Sequence, residues 1–159
     1  MNTVFLHLGS NENQPLKQLL VALGKIEEQI GKISLYSQIY KTEAWGKKDQ
    51  NDFLNMAISV HTELQPSELL QKTQKIEKKM GRVEKEKWAS RIIDIDILFY
   101  NNQNIRKPEL TIPHPHIEKR NFVLIPMLDI AADYVHPILH KTIVDLYNSS
   151  KDTCNVILL

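Results

Sequence analysis

Apolar positions along the chain recur with two different periods. Thr3-Val4-Phe5-Leu6-His7-Leu8 is short, β-branched at its start and closed by Gly9-Ser10-Asn11, the pattern of a strand running into a turn. Pro15 opens a helix in which Leu16, Leu19, Leu20, Leu23, Ile26 and Ile30 recur at helical spacing, and Gly31 supplies a stop. Over 32–42, Ile33, Leu35 and Ser37 alternate against Ser34, Tyr36 and Gln38 before Ile39-Tyr40, which predicts a strand. Thr42 to Asp52 is polar and contains Trp45 and Gly46, a connection long for a hairpin and therefore of functional interest. Leu54 to Glu63 reads as another strand, with Met56, Ile58 and Val60 on one face. Pro66 and Glu68 start a second helix that carries Leu69, Leu70, Thr73, Ile76 and Met80 inward and ends at Gly81. Ile92 to Tyr100, branched and aromatic, predicts a central strand.

The resulting order, βαββαβ, is that of a split βαβ, ferredoxin-like α+β domain with an antiparallel sheet and helices on one face. Beyond it a Pro/His turn at 113–116 leads into weaker helical patterns around Phe122 to Ala132 and Ile143 to Tyr147, placed to cover the other face and make three αβα layers.

Composition narrows the class. With 159 residues, 42% hydrophobic and 25% charged, the chain has the make-up of one soluble domain over 1–159. Its longest apolar run, Phe122 to Leu128, includes a proline and is too short to span a bilayer. No basic leader precedes the first strand, so a secretory signal is not expected, and a lone Cys154 excludes an internal disulfide and fits a reducing cytoplasm. The net charge of +1 excludes the global field of a polynucleotide-coating protein. Charge is nonetheless uneven: residues 72–91 hold eight cations and three anions. Such a patch suits a compact polyanion such as a nucleotide triphosphate, and suits a solvated surface equally.

Asp94-Ile95-Asp96 is the feature least compatible with simple packing. Residues two apart on a strand share a face, so both carboxylates point the same way with Cα atoms roughly 6.5–7 Å apart. Burying two like charges is costly, and hard divalent cations with oxygen ligands are natural partners for them. Two carboxylates so placed can hold a pair of Mg²⁺ ions against phosphate oxygens. A half-exposed strand with a wet acidic face accounts for a bare D-x-D equally well.

The neighbourhood adds weight. Arg82, Trp88 and Arg91 lie just upstream, and an arginine fork matches phosphate geometry. Trp88 reads as a lid residue or as a surface tryptophan folded onto the core. Gln74 and Glu77 share a helix face and, in the bland reading, are solvent-exposed. His114, His116, His136 and His140 do not make a zinc site, because prolines interrupt both pairs and the cysteine is distant.

In these residues the chain resembles the 6-hydroxymethyl-7,8-dihydropterin pyrophosphokinase family. The resemblance spans nearly the whole chain and rests on Gly9-Ser10-Asn11, Tyr40-Lys41-Thr42, Gly46, Asp52-Phe53-Leu54-Asn55, Gln74-x-x-Glu77, Gly81-Arg82, Trp88-x-x-Arg91-x-x-Asp94-Ile95-Asp96-Ile97, Pro113-His114-Pro115, Arg120 and Phe122. It implies transfer of an intact pyrophosphoryl group from ATP to a pterin hydroxymethyl oxygen, with release of AMP. It further implies two Mg²⁺ ions on Asp94 and Asp96, and polyphosphate contacts from Arg82, Arg91, His114 and Arg120. Gln74, Glu77, Trp88, Ile97 and Thr111 would serve the nucleotide. The pterin would lie between Phe53 and Phe122, its polar edge read by Asn55 and by the segment of Thr42, Glu43 and Trp45. A cytoplasmic monomer, without nucleic-acid or membrane partners, is the matching expectation, and the loops at 43–53 and 82–91 are expected to order when both substrates bind.

Those roles are chemically sound in themselves, since attack on a triphosphate is mainly a problem of positioning and charge stabilisation, and a flat heterocycle stacks well between rings. Phe53 and Phe122 would be equally ordinary as core residues. The chain departs from many members of the family at Ala89-Ser90, where they carry Gly-Pro, and at Glu84 and Glu109, where they carry arginine. Two other readings compete: a two-metal transferase acting on nucleic acid, disfavoured by the net charge, and a ligand-binding regulatory module, which leaves Asp94 and Asp96 unexplained.

Overall fold

In the computed structural model, which describes residues 1–43, 51–81 and 91–159, the first apolar run forms β1 (Asn2–Ser10). Pro15 occupies the first helical position of α1 (Pro15–Gln29), where a missing N–H is harmless. The strand expected over 32–42 is divided into β2 (Lys32–Tyr36) and β3 (Tyr40–Thr42). Ser37 causes the break: its hydroxyl oxygen accepts the Ala57 N–H at 2.8 Å, so a side chain replaces a ladder bond. β4 (Phe53–Thr62) is followed by α2 (Pro66–Lys79), which starts in a capping box where Glu68 accepts the Gln65 N–H at 2.9 Å. After β5 (Asp94–Tyr100) come a small hairpin, β6 (Ile105–Lys107) and β7 (Leu110–Ile112), a 3₁₀ turn at Ile117–Lys119, α3 (Asn121–Ala131), α4 (Ile143–Ser149) and β8 (Val156–Leu158).

Among the described residues the main sheet runs β5-β1-β4-β3-β8, with β2 also on β4, and every pairing is antiparallel. Alternation sends Val4, Leu6, Leu8, Met56, Ile58, Val60, Ile95 and Ile97 to one face, against Leu19, Ala22 and Ile26 of α1 and Leu69 and Ile76 of α2. Phe5, Ala57 and Leu98 face the other way, onto Val123, Leu124 and Met127 of α3 and Ile143 and Leu146 of α4. None of the helices among the described residues is long and apolar enough to cross a membrane.

Two expectations change, and one segment on which the sequence is silent finds its place. Leu16 and Leu20 are exposed, because the buried stripe of α1 is Leu19, Ala22, Ile26 and Ile30, and a pair four apart beside it points to solvent. The strand at 94–100 is not central but ends the sheet; its apolar content reflects helices packed on both faces rather than strands on both sides. The C-terminal residues pack on the domain as an edge strand, with Thr42 opposite Val156 and Tyr40 opposite Leu158.

His136 organises the connection between α3 and α4. Its Nδ1 accepts the N–H groups of Ile138 and Leu139, both at 3.1 Å, while its ring packs edge-on against Phe99. Burial holds its pKa below the ordinary 6.5, with His140 adding to the effect and Glu118 opposing it. The unfolded chain therefore binds more protons than the folded one as pH falls below 6.5, and the stability present above that pH is lost on acidification. We expect His136→Gln to flatten the dependence of the urea midpoint on pH between about 7 and 5. An unaltered slope in a folded variant would assign the acid sensitivity elsewhere.

Candidate active site

Cross-strand register builds the site before any side chain is considered. Gly9 stands opposite Asn55 of β4 on one side and Asp94 of β5 on the other; His7 stands opposite Ala57 and Asp96. Directly paired residues share a face, so His7, Gly9, Phe53, Asn55, Asp94 and Asp96 all lie on the α3 side of the sheet. Thr42, opposite Phe53, joins them. Gly9 keeps the middle of the row low: a Cβ there would sit 3.0 Å from Asn55 Oδ1 and 3.7 Å from the Phe53 ring.

Asn55, 2% exposed, donates from Nδ2 to Thr42 Oγ1 at 2.7 Å, which fixes its amide. Phe53 and Phe122 are both half-buried. Phe122 stands in the first turn of α3, with the Arg120 guanidinium 5.7 Å from its ring centre and the His7 ring edge-on at 5.6 Å.

The acidic pair is held from two directions. Glu77 of α2, 6% exposed, accepts the Ile95 N–H at 2.7 Å between the two aspartates. Arg91 Nε lies 3.8 Å from Asp94 Oδ1. The Arg91 backbone is fixed in turn by Asn11: the Arg91 N–H donates to Asn11 Oδ1 at 2.8 Å, and the Asn11 N–H donates to the Arg91 carbonyl at 3.0 Å. Asn11 Nδ2 also donates to the Asn51 carbonyl at 3.0 Å, so one fully buried amide links the segments that lead into β4 and β5.

Beyond Asp96, along the outer edge of β5, opens a cleft of about 290 Å³ whose lining includes Leu70, Asp96, Ile97, Glu109, Thr111 and His114. The His114 N–H donates to the Leu98 carbonyl at 3.0 Å, and its Nδ1 accepts the His116 N–H at 3.3 Å. Burial, with Arg120 and His116 nearby and Glu118 opposing, pushes the His114 pKa down to about 4. The ring is neutral near pH 7, and its proton is on Nε2.

Of the residues singled out in the sequence, these arrangements bring together Thr42, Phe53, Asn55, Asp94, Asp96, Arg91, Arg120 and Phe122 on one side and Ile97, Thr111 and His114 on the other. Gln74 and Glu43 are exposed, and Gln74 does not share the buried position of Glu77. Trp45, Arg82 and Trp88, with the loops 44–50 and 82–90, lie outside the described residues. The sequence pattern assigns no role to Asn11 or His7. The signal for His7 was available: a histidine at an inward position of an otherwise apolar strand.

Asp94 and Asp96, both half-exposed, offer hard carboxylate oxygens on one face, the donor chemistry of Mg²⁺. Among the described residues no third carboxylate, histidine or cysteine joins them. A divalent ion there must complete its shell with water or substrate oxygens.

Comparison with known proteins points the same way. The profile of the 7,8-dihydro-6-hydroxymethylpterin-pyrophosphokinase family matches residues 5–132. A 2-amino-4-hydroxy-6-hydroxymethyldihydropteridine pyrophosphokinase of Aquifex aeolicus is 42% identical over 159 residues, covering 99% of each chain, and one of Haemophilus influenzae is 42% identical over 139 residues, covering 86% of each. A folic acid synthesis protein of Dictyostelium discoideum is 40% identical over 89% of this chain and 21% of its own. Two solved chains share the fold. One is a Plasmodium falciparum HPPK-DHPS triple mutant with STZ-DHP, at TM-score 0.74 and 22% identity over 92% of this chain. The other is an HPPK-DHPS in complex with substrates, at TM-score 0.76 and 19% identity over 93%. The present chain spans 43% of each of these.

Removing the Glu77 carboxylate strips a buried strand N–H of its acceptor. We expect Glu77→Ala to lose roughly 1–3 kcal/mol of stability by urea denaturation, and Glu77→Gln, which keeps an acceptor oxygen, to lose less. Equal losses in the two variants would mean that the acceptor is not what matters.

Proposed function

Because the chain belongs to the 7,8-dihydro-6-hydroxymethylpterin-pyrophosphokinase family, we propose that its two substrates bind on either side of Asp94 and Asp96, the pterin over the sheet face and the nucleotide in the edge cleft. The enzyme transfers pyrophosphate from ATP to 6-hydroxymethyl-7,8-dihydropterin, a step of folate biosynthesis, and AMP leaves. One observation carries the arrangement: Asn55, Gly9 and Asp94 form a single cross-strand row, so a ring resting on Gly9 has a fixed amide at one end and a carboxylate at the other.

Phe53 and Phe122 stack the pterin, and the Asn55 amide, oriented by Thr42, reads its polar edge. The hydroxymethyl arm then extends toward Asp94. Arg91, Arg82 and Arg120 take the polyphosphate oxygens, with the Arg91 backbone held by Asn11 so that its guanidinium stays beside Asp94. His114 offers a neutral Nε2–H donor to the same oxygens. Glu109 repels phosphate, which orients the nucleotide with its nucleoside at Glu109, Thr111 and Ile97 and its polyphosphate toward Asp96. Trp45, Glu43, Gln74 and Trp88 complete the substrate contacts in this reading, whereas Glu77 acts through the backbone of β5.

Asp94 and Asp96 would hold two Mg²⁺ ions, whose chemistry is to neutralise the triphosphate and polarise the acceptor oxygen. The hydroxymethyl oxygen bonds to the β-phosphorus, the bond from that phosphorus to the α-β bridging oxygen breaks, the hydroxyl proton passes to solvent, and the electron pair leaves on AMP. The strand order β5-β1-β4-β2, joined by α1 and α2, supports a ferredoxin-like core. A single domain acting as a cytoplasmic monomer is the matching assembly.

Protein, Mg²⁺ and ATP should yield AMP, and not ADP, only when reduced hydroxymethylpterin is present; ADP, or AMP without the pterin, overturns the assignment. Asp96→Ala should keep the wild-type urea midpoint while turnover falls about 10²-fold or more. EDTA should abolish turnover and be reversed by excess Mg²⁺.

A further inference from the structure

We propose that His7 is a positioning residue for the pterin: it supplies the hydrogen-bond donor that Pro126 denies to Phe122 and so sets the ring that closes the pterin pocket. The inference rests on the pterin reading of Phe53 and Phe122. In a regular helix the Phe122 carbonyl accepts from the N–H four residues on, and that residue is Pro126, which has none. His7, 3% exposed on β1, places Nε2 3.1 Å from that carbonyl. A carbonyl only accepts, so the imidazole proton is on Nε2.

Two further geometric observations mark this as a built arrangement rather than a passing one. The two rings meet edge to face at 5.6 Å, so His7 holds both the backbone and the side chain of Phe122. The Cε1 edge of the imidazole lies 3.9 Å from where a Gly9 Cβ would stand, on the same sheet face as Asn55 and Phe53. Burial pushes the His7 pKa down to about 4, with His114 and Arg120 adding and the Phe122 bond opposing, so the ring is a neutral donor near pH 7.

The test is a double-mutant cycle read by AMP formation. His7→Ala is expected to raise KM for the reduced hydroxymethylpterin roughly tenfold, with KM for ATP and kcat unchanged. His7→Gln, which keeps an N–H donor, should recover most of the loss. In the Pro126→Ala background residue 126 can donate to the Phe122 carbonyl, and removing His7 should then change KM for the pterin little. If His7→Ala does not fold, His7→Gln against His7→Met makes the same comparison. Parallel rises in both KM values, or an equal penalty with and without Pro126, overturn the role of His7. Absence of pterin-dependent AMP from the wild-type enzyme would instead overturn the reading beneath it.

Discussion

The Glu77 carboxylate accepts the Ile95 N–H at 2.7 Å on the open side of β5, and the acidic face of that strand depends on the bond. β5 ends the sheet, with β1 on its other side. An edge strand exposes a row of unpaired donors, and one pointing into a helix interface rather than into water is expensive unless it finds an acceptor. The Glu77 oxygen supplies that acceptor, and the bond fixes the peptide between Asp94 and Asp96. The phase of α2 delivers it. The capping box at Gln65 and Glu68 sets where the helix begins, Leu69, Thr73 and Ile76 set which face is buried, and Glu77 falls beside them. Helix start, helix phase and strand edge thus converge on one hydrogen bond.

How much of this was legible in the chain depends on the length of each periodic run. α1, α2 and β4 carry several repeats of their period and are bounded by proline, glycine or polar turns, so pattern identifies them. Three-residue strands hold no period, which is why β6, β7 and β8 had no signal. Ser37 divides β2 from β3 by a side-chain bond to a backbone group twenty residues away, a fact no local window contains. The position of β5 at the sheet edge was hidden for a related reason. Burial on both faces by helices and burial between two strands leave the same apolar composition.

The site shows the same division. Parity alone puts Asp94 and Asp96 on one face, and that needs nothing but their spacing. Which face it is, and that Asn55 and Gly9 stand in line with Asp94, comes from register between strands more than forty residues apart in the chain. Gln74 and Glu77 illustrate the limit of helical spacing: three apart, they differ in burial, because the edge of the apolar stripe falls between them. Asn11 was visible only as part of a turn. Its bonds to Arg91 and Asn51 join segments that sequence distance separates, and those are tertiary facts.

Two local violations in the structure compensate one another. A proline inside a helix removes a hydrogen bond and typically costs about 3 kcal/mol, and a histidine buried in an apolar strand must be desolvated and satisfied. Each alone counts against its element. Together they meet at one carbonyl: the acceptor that Pro126 frees is the partner His7 needs. A helical N–H would have left the Phe122 carbonyl turned along the axis of α3 and unconnected to the sheet. With proline at 126 the first turn of α3 is instead tied across to β1, beside Gly9. Departures from local preference that resolve each other at a binding face are expected where position, rather than stability, is being specified. The bond makes the placement of the Phe122 ring a property of β1 as much as of α3.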